Sequence, residues 1–220
     1  MKKHITHAFL SLAIVAMVGC SNPADKVDAA KVNEAKPSAP DTPAPASAAK
    51  AYVISADSKV EFLASKFLPG GETPGSFQKF EGVLNVVDGK LSPAGSKIVI
   101  DVGSITTEKP KLTAHLKNED FFDVPKFPTA TFAATGVAPM PEDAAKQNLT
   151  GDLTMHGVTK SITFPATINV TDEAVMVKAE FHIDRYDWGM EYKGQADNMI
   201  RKEVVLKMDV TAKPGEAKAN

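Results

Sequence analysis

Residues 149–170 read LTGDLTMHGVTKSITFPATINV. Leu149, Gly151, Leu153 and Met155 alternate with Thr150, Asp152, Thr154 and His156. Past a short connection at HGVTK, Ile162, Phe164, Ala166, Ile168 and Val170 stand opposite Ser161, Thr163, Thr167 and Asn169. A period of two places apolar side chains on one face and polar ones on the other, the pattern of a strand buried on one side. Two such runs across a turn rich in small and polar residues predict an antiparallel hairpin.

The same alternation extends outward in both directions. Val60, Phe62 and Ala64 form one face, as do Phe80, Gly82, Leu84 and Val86, then Ile98, Ile100 and Val102, then Ala130, Phe132 and Ala134. Val175, Val177, Ala179, Phe181 and Ile183 follow the hairpin, and Val204, Leu206, Met208 and Val210 close the series. Turn residues at VDGK (87–90) and TDEA (171–174) separate neighbouring runs. Several strands at hairpin spacing predict an all-β antiparallel barrel or sandwich. One short helix is expected around residues 108–118, leading into a Phe-rich loop. Ala64, Gly82, Ala130, Ala134, Gly151, Ala166 and Ala179 share the inward face. In a barrel they leave room for a ligand or fit the taper of a filled core.

The N-terminus has its own character. Lys2 and Lys3 precede an apolar run from Ala8 to Val18, too short for the roughly 20 residues a spanning helix needs, so residues 1–20 read as an export signal. Met17-Val18-Gly19-Cys20 resembles a bacterial lipobox, and Cys20 is the only cysteine of the chain. Lipidation there would anchor the protein with more than one acyl chain. Ser21 in place of Asp after that cysteine favours the outer membrane, by analogy with enteric bacteria. Nearly half of residues 21–50 are Ala or Pro, a composition expected of a disordered tether. Residues 51–214 then form one domain, and 215–220 a disordered tail.

Charge and motif content narrow the function. The formal net charge is -2, with no basic patch to attract nucleic acid. His115, His156 and His182 are widely spaced; His156 is expected to serve its turn and His182 to face solvent. No metal site or cofactor is expected. PGGETPG (69–75) lacks the Lys-Ser/Thr ending of a phosphate cradle and reads as a mobile hairpin or lid loop. Asp184 to Trp188 gathers charge and aromatic surface, either as an internal ion-pair network or as a polar rim. No nucleophile is paired with a base, so catalysis is not expected.

HLKNEDFFDVPKFPTATF (115–132), the 149–168 stretch and FHIDRYDWG (181–189), in that order, resemble the YceI-like family across about residues 52–213. Phe127, Trp188 and Asn118-Glu119 depart from the residues usual there. The resemblance implies a lipocalin-like antiparallel barrel with an elongated apolar channel, exported and binding long-chain lipids such as polyisoprenoids or fatty-acid derivatives. On their inward parity, Phe62, Phe80, Leu84, Phe132 and Met155 are expected to line such a channel. Phe164, Phe181, Phe121, Phe122 and Trp188 join them, with Arg185 and His115 at a polar rim. The expected partners are one lipid and the membrane. Two other readings remain: a filled barrel acting as a scaffolding module in the envelope, and an enzyme recruiting His115 and the 184–188 cluster.

Overall fold

A computed structural model of the 220-residue chain describes residues 22–35, 49–67, 71–192 and 199–215. The export signal lies outside them, as do most of the tail and residues 36–48 of the tether.

Thirteen strands form the sheet: β1 (Asp28–Ala29), β2 (Lys31–Glu34), β3 (Lys50–Ile54), β4 (Lys59–Ala64), β5 (Thr73–Phe77), β6 (Phe80–Val87), β7 (Lys90–Asp101), β8 (Ile105–Thr107), β9 (Thr129–Pro139), β10 (Gln147–Met155), β11 (Val158–Val170), β12 (Val175–Asp184) and β13 (Glu203–Pro214). Eight of them close a ring of antiparallel neighbours in the order β3, β6, β7, β9, β10, β11, β12, β13 and back to β3. The protein is therefore a closed eight-stranded antiparallel barrel. Closure removes the exposed edges that an open sheet would carry.

The opening hairpin is β10–β11, in register from Gln147↔Ala166 to Met155↔Val158. His156 and Gly157 turn it with φ of 51° and 74°. Asp88 and Gly89, at 51° and 70°, turn β6 into β7 in the same way. Two successive positive φ values define the type I′ turn, whose twist matches that of paired strands. The one α-helix, α1 (Pro110–Leu116), is shorter than the expected 108–118. Pro110 starts it, because its fixed φ suits the first turn and its missing N–H is not needed there. Of residues 69–75, read as a mobile hairpin or lid loop, Thr73–Gly75 belong to β5, which pairs antiparallel with β4 on one side and with β8 on the other; residues 69 and 70 lie outside the described residues. Along β13, β3 and β4 follow one another, separated only by residues 55–58.

The tether differs from expectation in its first part. Residues 22–34 are built into the barrel wall. β11 and β12 pair only from Thr167–Val170 to Val175–Lys178. Beyond that they part, and the N-terminal segment lies between them: β1 pairs parallel with Phe181 and His182, and β2 antiparallel with Lys160–Thr163. The Ala30 N–H bonds to the His182 carbonyl at 2.9 Å, and Lys160 pairs with Glu34 at 2.5 Å. His182, expected in solvent, is half-buried and bonds through Nδ1 to the Val27 carbonyl at 3.3 Å. The cause is the ladder. Two parted strands expose backbone donors and acceptors, and a polar segment with Ala30 and Val32 facing inward supplies partners without a large apolar face.

Candidate functional site

The barrel interior is apolar along its length and holds two cavities. One, of about 130 Å³, lies at the end carrying α1. Its walls include Phe62, Ala64, Met155, Ile183 and Leu206, and its roof is Leu112 and Leu116 of α1 with Phe121 and Phe122 of the following loop. The other, of about 40 Å³, lies toward the hairpin end, among Leu84, Leu91, Phe132, Ala134, Leu149 and Val210.

Between them is an aromatic partition. Phe164 and Phe181 stack with centroids 3.9 Å apart and planes at 12°, and Phe132 tilts against Phe164 at 5.6 Å. β12 carries Val177 on the smaller cavity and Ile183 on the larger; Phe181 stands between them in the inward series. Small inward residues explain how the rings fit. A Cβ on Gly151 would come within 2.3 Å of Phe132 Cζ, and one on Gly75 within 2.2 Å of Phe62 Cζ. Each of these glycines is a seat for a ring lying flat against the wall. Ala64 and Ala134 do open onto the cavities.

The roof is held by a second aromatic group. His115 meets Phe121 and Tyr192 edge-on, each at 5.2 Å, and Phe121 stacks on Tyr192 at 5.7 Å. His115 Nε2 lies 3.0 Å from Asp120 Oδ2, so it orients the roof. Phe122 packs edge-on against Phe77 at 6.0 Å. The opening stretch of this roof, dense in charge and proline, thus carries its phenylalanines because they cover the barrel end.

Two expected site residues, Phe80 and Trp188, sit apart from the cavities, and a third, Arg185, is more deeply buried than expected. Phe80 is half-buried and faces an open groove of about 700 Å³ with Lys59, Glu61, Lys79, Glu81 and Asp101. Charges of both signs line this groove and it opens to solvent. Trp188 is 0% exposed and donates from Nε1 to the Leu153 carbonyl at 3.1 Å. It belongs to a 3₁₀ turn, Arg185–Trp188, that staples the end of β10 and does not line the cavity. Arg185, expected at a solvent-facing rim, is only 4% exposed. It lines the larger cavity while donating to the Met190 and Arg201 carbonyls, as burial of a guanidinium requires. Nearby, the Asp184 carboxylate holds the Lys202 ammonium above its ordinary range by hydrogen bonding.

Phe77, Met190 and Tyr192 escaped the sequence reading. Residues 78–79 interrupt the chain between β5 and β6, so Phe77 is out of step with the alternation from Phe80 to Val86 although both rings pack against the core. Met190 and Tyr192 lie beyond the last periodic residue of β12. Among the described residues no group of three or more His, Cys, Asp or Glu is placed to hold a metal ion.

Comparison with known proteins agrees with this architecture. A UPF0312 protein of Pseudomonas putida (strain GB-1) is 38% identical over 115 residues, 51% of this chain and 55% of its own. One of Pseudomonas fluorescens (strain SBW25) is 32% identical over 140 residues, 60% of this chain and 71% of its own. The chain spans about half the length of the first of these relatives. The crystal structure of Burkholderia cenocepacia BcnA aligns with a TM-score of 0.63 at 25% identity, covering 72% of this chain and 98% of that one. A polyisoprenoid binding domain from Saccharophagus degradans aligns at 0.59 with 17% identity, covering 76% and 99%, a likeness of fold. The model of the YceI-like domain matches residues 52–212, and the chain belongs to that family.

Proposed function

We propose that the protein is an exported, membrane-tethered binding protein that holds one long-chain apolar ligand, a polyisoprenoid or fatty-acid derivative, inside the barrel. The observation that carries this reading is the pair of apolar cavities on one axis, parted by phenylalanines. Neither cavity reaches the roughly 300 Å³ of an ordinary ligand pocket. Swinging Phe132 off its glycine seat would begin to join them into one channel. The ligand tail would enter at the helix end, beneath α1 and Phe122, and Arg185 would meet a polar head group at that entrance. Membership of the YceI-like family and the fold shared with a polyisoprenoid binding domain support the same ligand class. Anchoring through Cys20 and residence at the outer membrane complete the proposal.

The packed middle of the barrel favours a second reading, a filled barrel that acts as an interaction module. Native mass spectrometry of the purified full chain, followed by solvent extraction, separates the two. A stoichiometric adduct with a long apolar tail, lost in Ala64→Phe, supports the ligand. A clean mass that no isoprenoid or acyl lipid shifts supports the filled barrel.

A further inference from the structure

We infer that the helix end of the barrel seats directly on an anionic lipid bilayer, with Phe67 and Met199 entering the head-group layer. The inference rests on the proposed lipid-binding function and adds the surface through which ligand would pass.

Three observations meet at this place. First, Phe67 and Met199, at 53% and 43%, are the exposed large apolar side chains among the described residues. They are neighbours: the Phe67 N–H bonds to the Met199 carbonyl at 3.0 Å, and Lys66 bridges to Ile200. Isolated exposed apolar residues are ordinary, but a paired patch beside a binding cavity marks an interaction site. Second, cations flank the pair. The Arg201 guanidinium lies 4.5 Å above the Phe67 ring, and Lys66 adjoins it. Basic side chains next to an exposed aromatic ring fit an anionic interface. Glu72 and Glu191, adjoining these segments in sequence, are exposed as well and offset part of this charge.

Third, the chain enters here. Ser65 bonds to Asn22 Oδ1 at 3.4 Å, and the Ser65 carbonyl accepts from the Arg201 N–H at 2.8 Å. Asn22 is buried against the barrel, followed by the buried Pro23 and Ala24. Cys20 precedes Asn22 by two residues, which span at most about 7 Å. A lipid on Cys20 would hold Ser65, Lys66 and Phe67 against the bilayer on this short leash. The long tether expected from composition does not intervene, because residues 22–34 are part of the wall. Ser65, Lys66 and Ile200 also line the larger cavity, so patch, anchor and cavity entrance coincide.

The test places bimane on the full chain at Glu72→Cys, beside the patch, and at Glu173→Cys, in the turn at the opposite end. The unmutated chain serves as the blank for any label on Cys20. Each is mixed with vesicles of equal parts phosphatidylethanolamine and phosphatidylglycerol carrying a nitroxide on the head group. Strong quenching at position 72 with little at 173 is expected. Lys66→Glu with Arg201→Glu should lower the quenching at 72 about tenfold on unanchored protein, and phosphatidylcholine vesicles should do the same. Equal quenching at both positions, or none at 72, overturns the docking. Lipid occupancy is read separately by native mass spectrometry. Occupied protein without quenching at 72 overturns docking alone, whereas quenching without occupancy upholds docking and overturns the ligand.

Discussion

The two ends of the barrel are built from the same strands and differ in what closes them. At the hairpin end, β6–β7 and β11–β12 turn within a few residues, and Tyr52 hydrogen-bonds to the Thr171 carbonyl at 3.0 Å to tie the wall to a turn. At the helix end β10–β11 also turns tightly, but β3, β6 and β7 give way to β4, β5 and β8, β11 and β12 separate, and the rest of the closure falls to α1, the Phe121–Phe122 loop and the N-terminal segment. The larger cavity and the exposed apolar pair are both at this second end. Closure by hairpins fixes a barrel end through its ladder, whereas closure by packed side chains leaves an end that can open. That asymmetry is the physical basis of the functional reading.

Removing the N-terminal segment should break the comparison most severely. Deletion of residues 22–35 leaves β11 and β12 with unpaired backbone over several residues, at about 1 kcal/mol for each bond lost. The urea midpoint followed by far-ultraviolet circular dichroism should fall sharply; an unchanged midpoint would show that the wall does not need the segment. Glycine seats give the next effect. Gly151→Ala drives Phe132 toward the smaller cavity and against the Ala133 carbonyl, 2.6 Å from the new Cβ, at a cost of about 1–3 kcal/mol. Gly75→Ala also meets a backbone carbonyl, that of Thr106 at 2.8 Å, but displaces Phe62 toward the roomier cavity and should cost less in thermal melts. The reverse order would place the looser packing at the hairpin end.

Trp188→Phe removes the donor to the Leu153 carbonyl and should cost about 1–3 kcal/mol, read in the same melts. The smallest change belongs to the surface pairs. Lys50→Met removes the pair with Asp172 at the hairpin end and Lys202→Met the pair with Asp184 at the helix end. Each should leave the melting midpoint nearly unchanged, with no difference between ends. A larger loss at Lys202 would tie the 3₁₀ turn to the closure of the cavity.

Much of the barrel was legible because its signal is local. Alternation from Leu149 to Val170 and a turn at His156-Gly157 fix strand, face and hairpin with no reference to distant residues. The N-terminal strands were not legible, since Asp28–Glu34 is polar and alanine-rich and becomes a strand only because β11 and β12 leave a gap for it. Inward parity likewise identified Phe62, Leu84, Phe132 and Met155 on the cavity walls. It could not separate a small residue that opens space, such as Ala64, from one that seats a ring, such as Gly151, because that depends on the opposite strand. Trp188 was misplaced, and the burial of Arg185 missed, for a related reason: their 3₁₀ turn follows the last alternating residue, where periodicity stops carrying information.

The central claim is that the aromatic partition moves and the two cavities become one channel. The most direct measurement is affinity across a series of saturated acyl chains of increasing length, by calorimetry on delipidated protein. The account predicts that affinity keeps rising past the length the larger cavity alone can hold, by about 0.8 kcal/mol for each further buried methylene. A plateau at short chains would show that Phe132, Phe164 and Phe181 stay closed, and would contradict it.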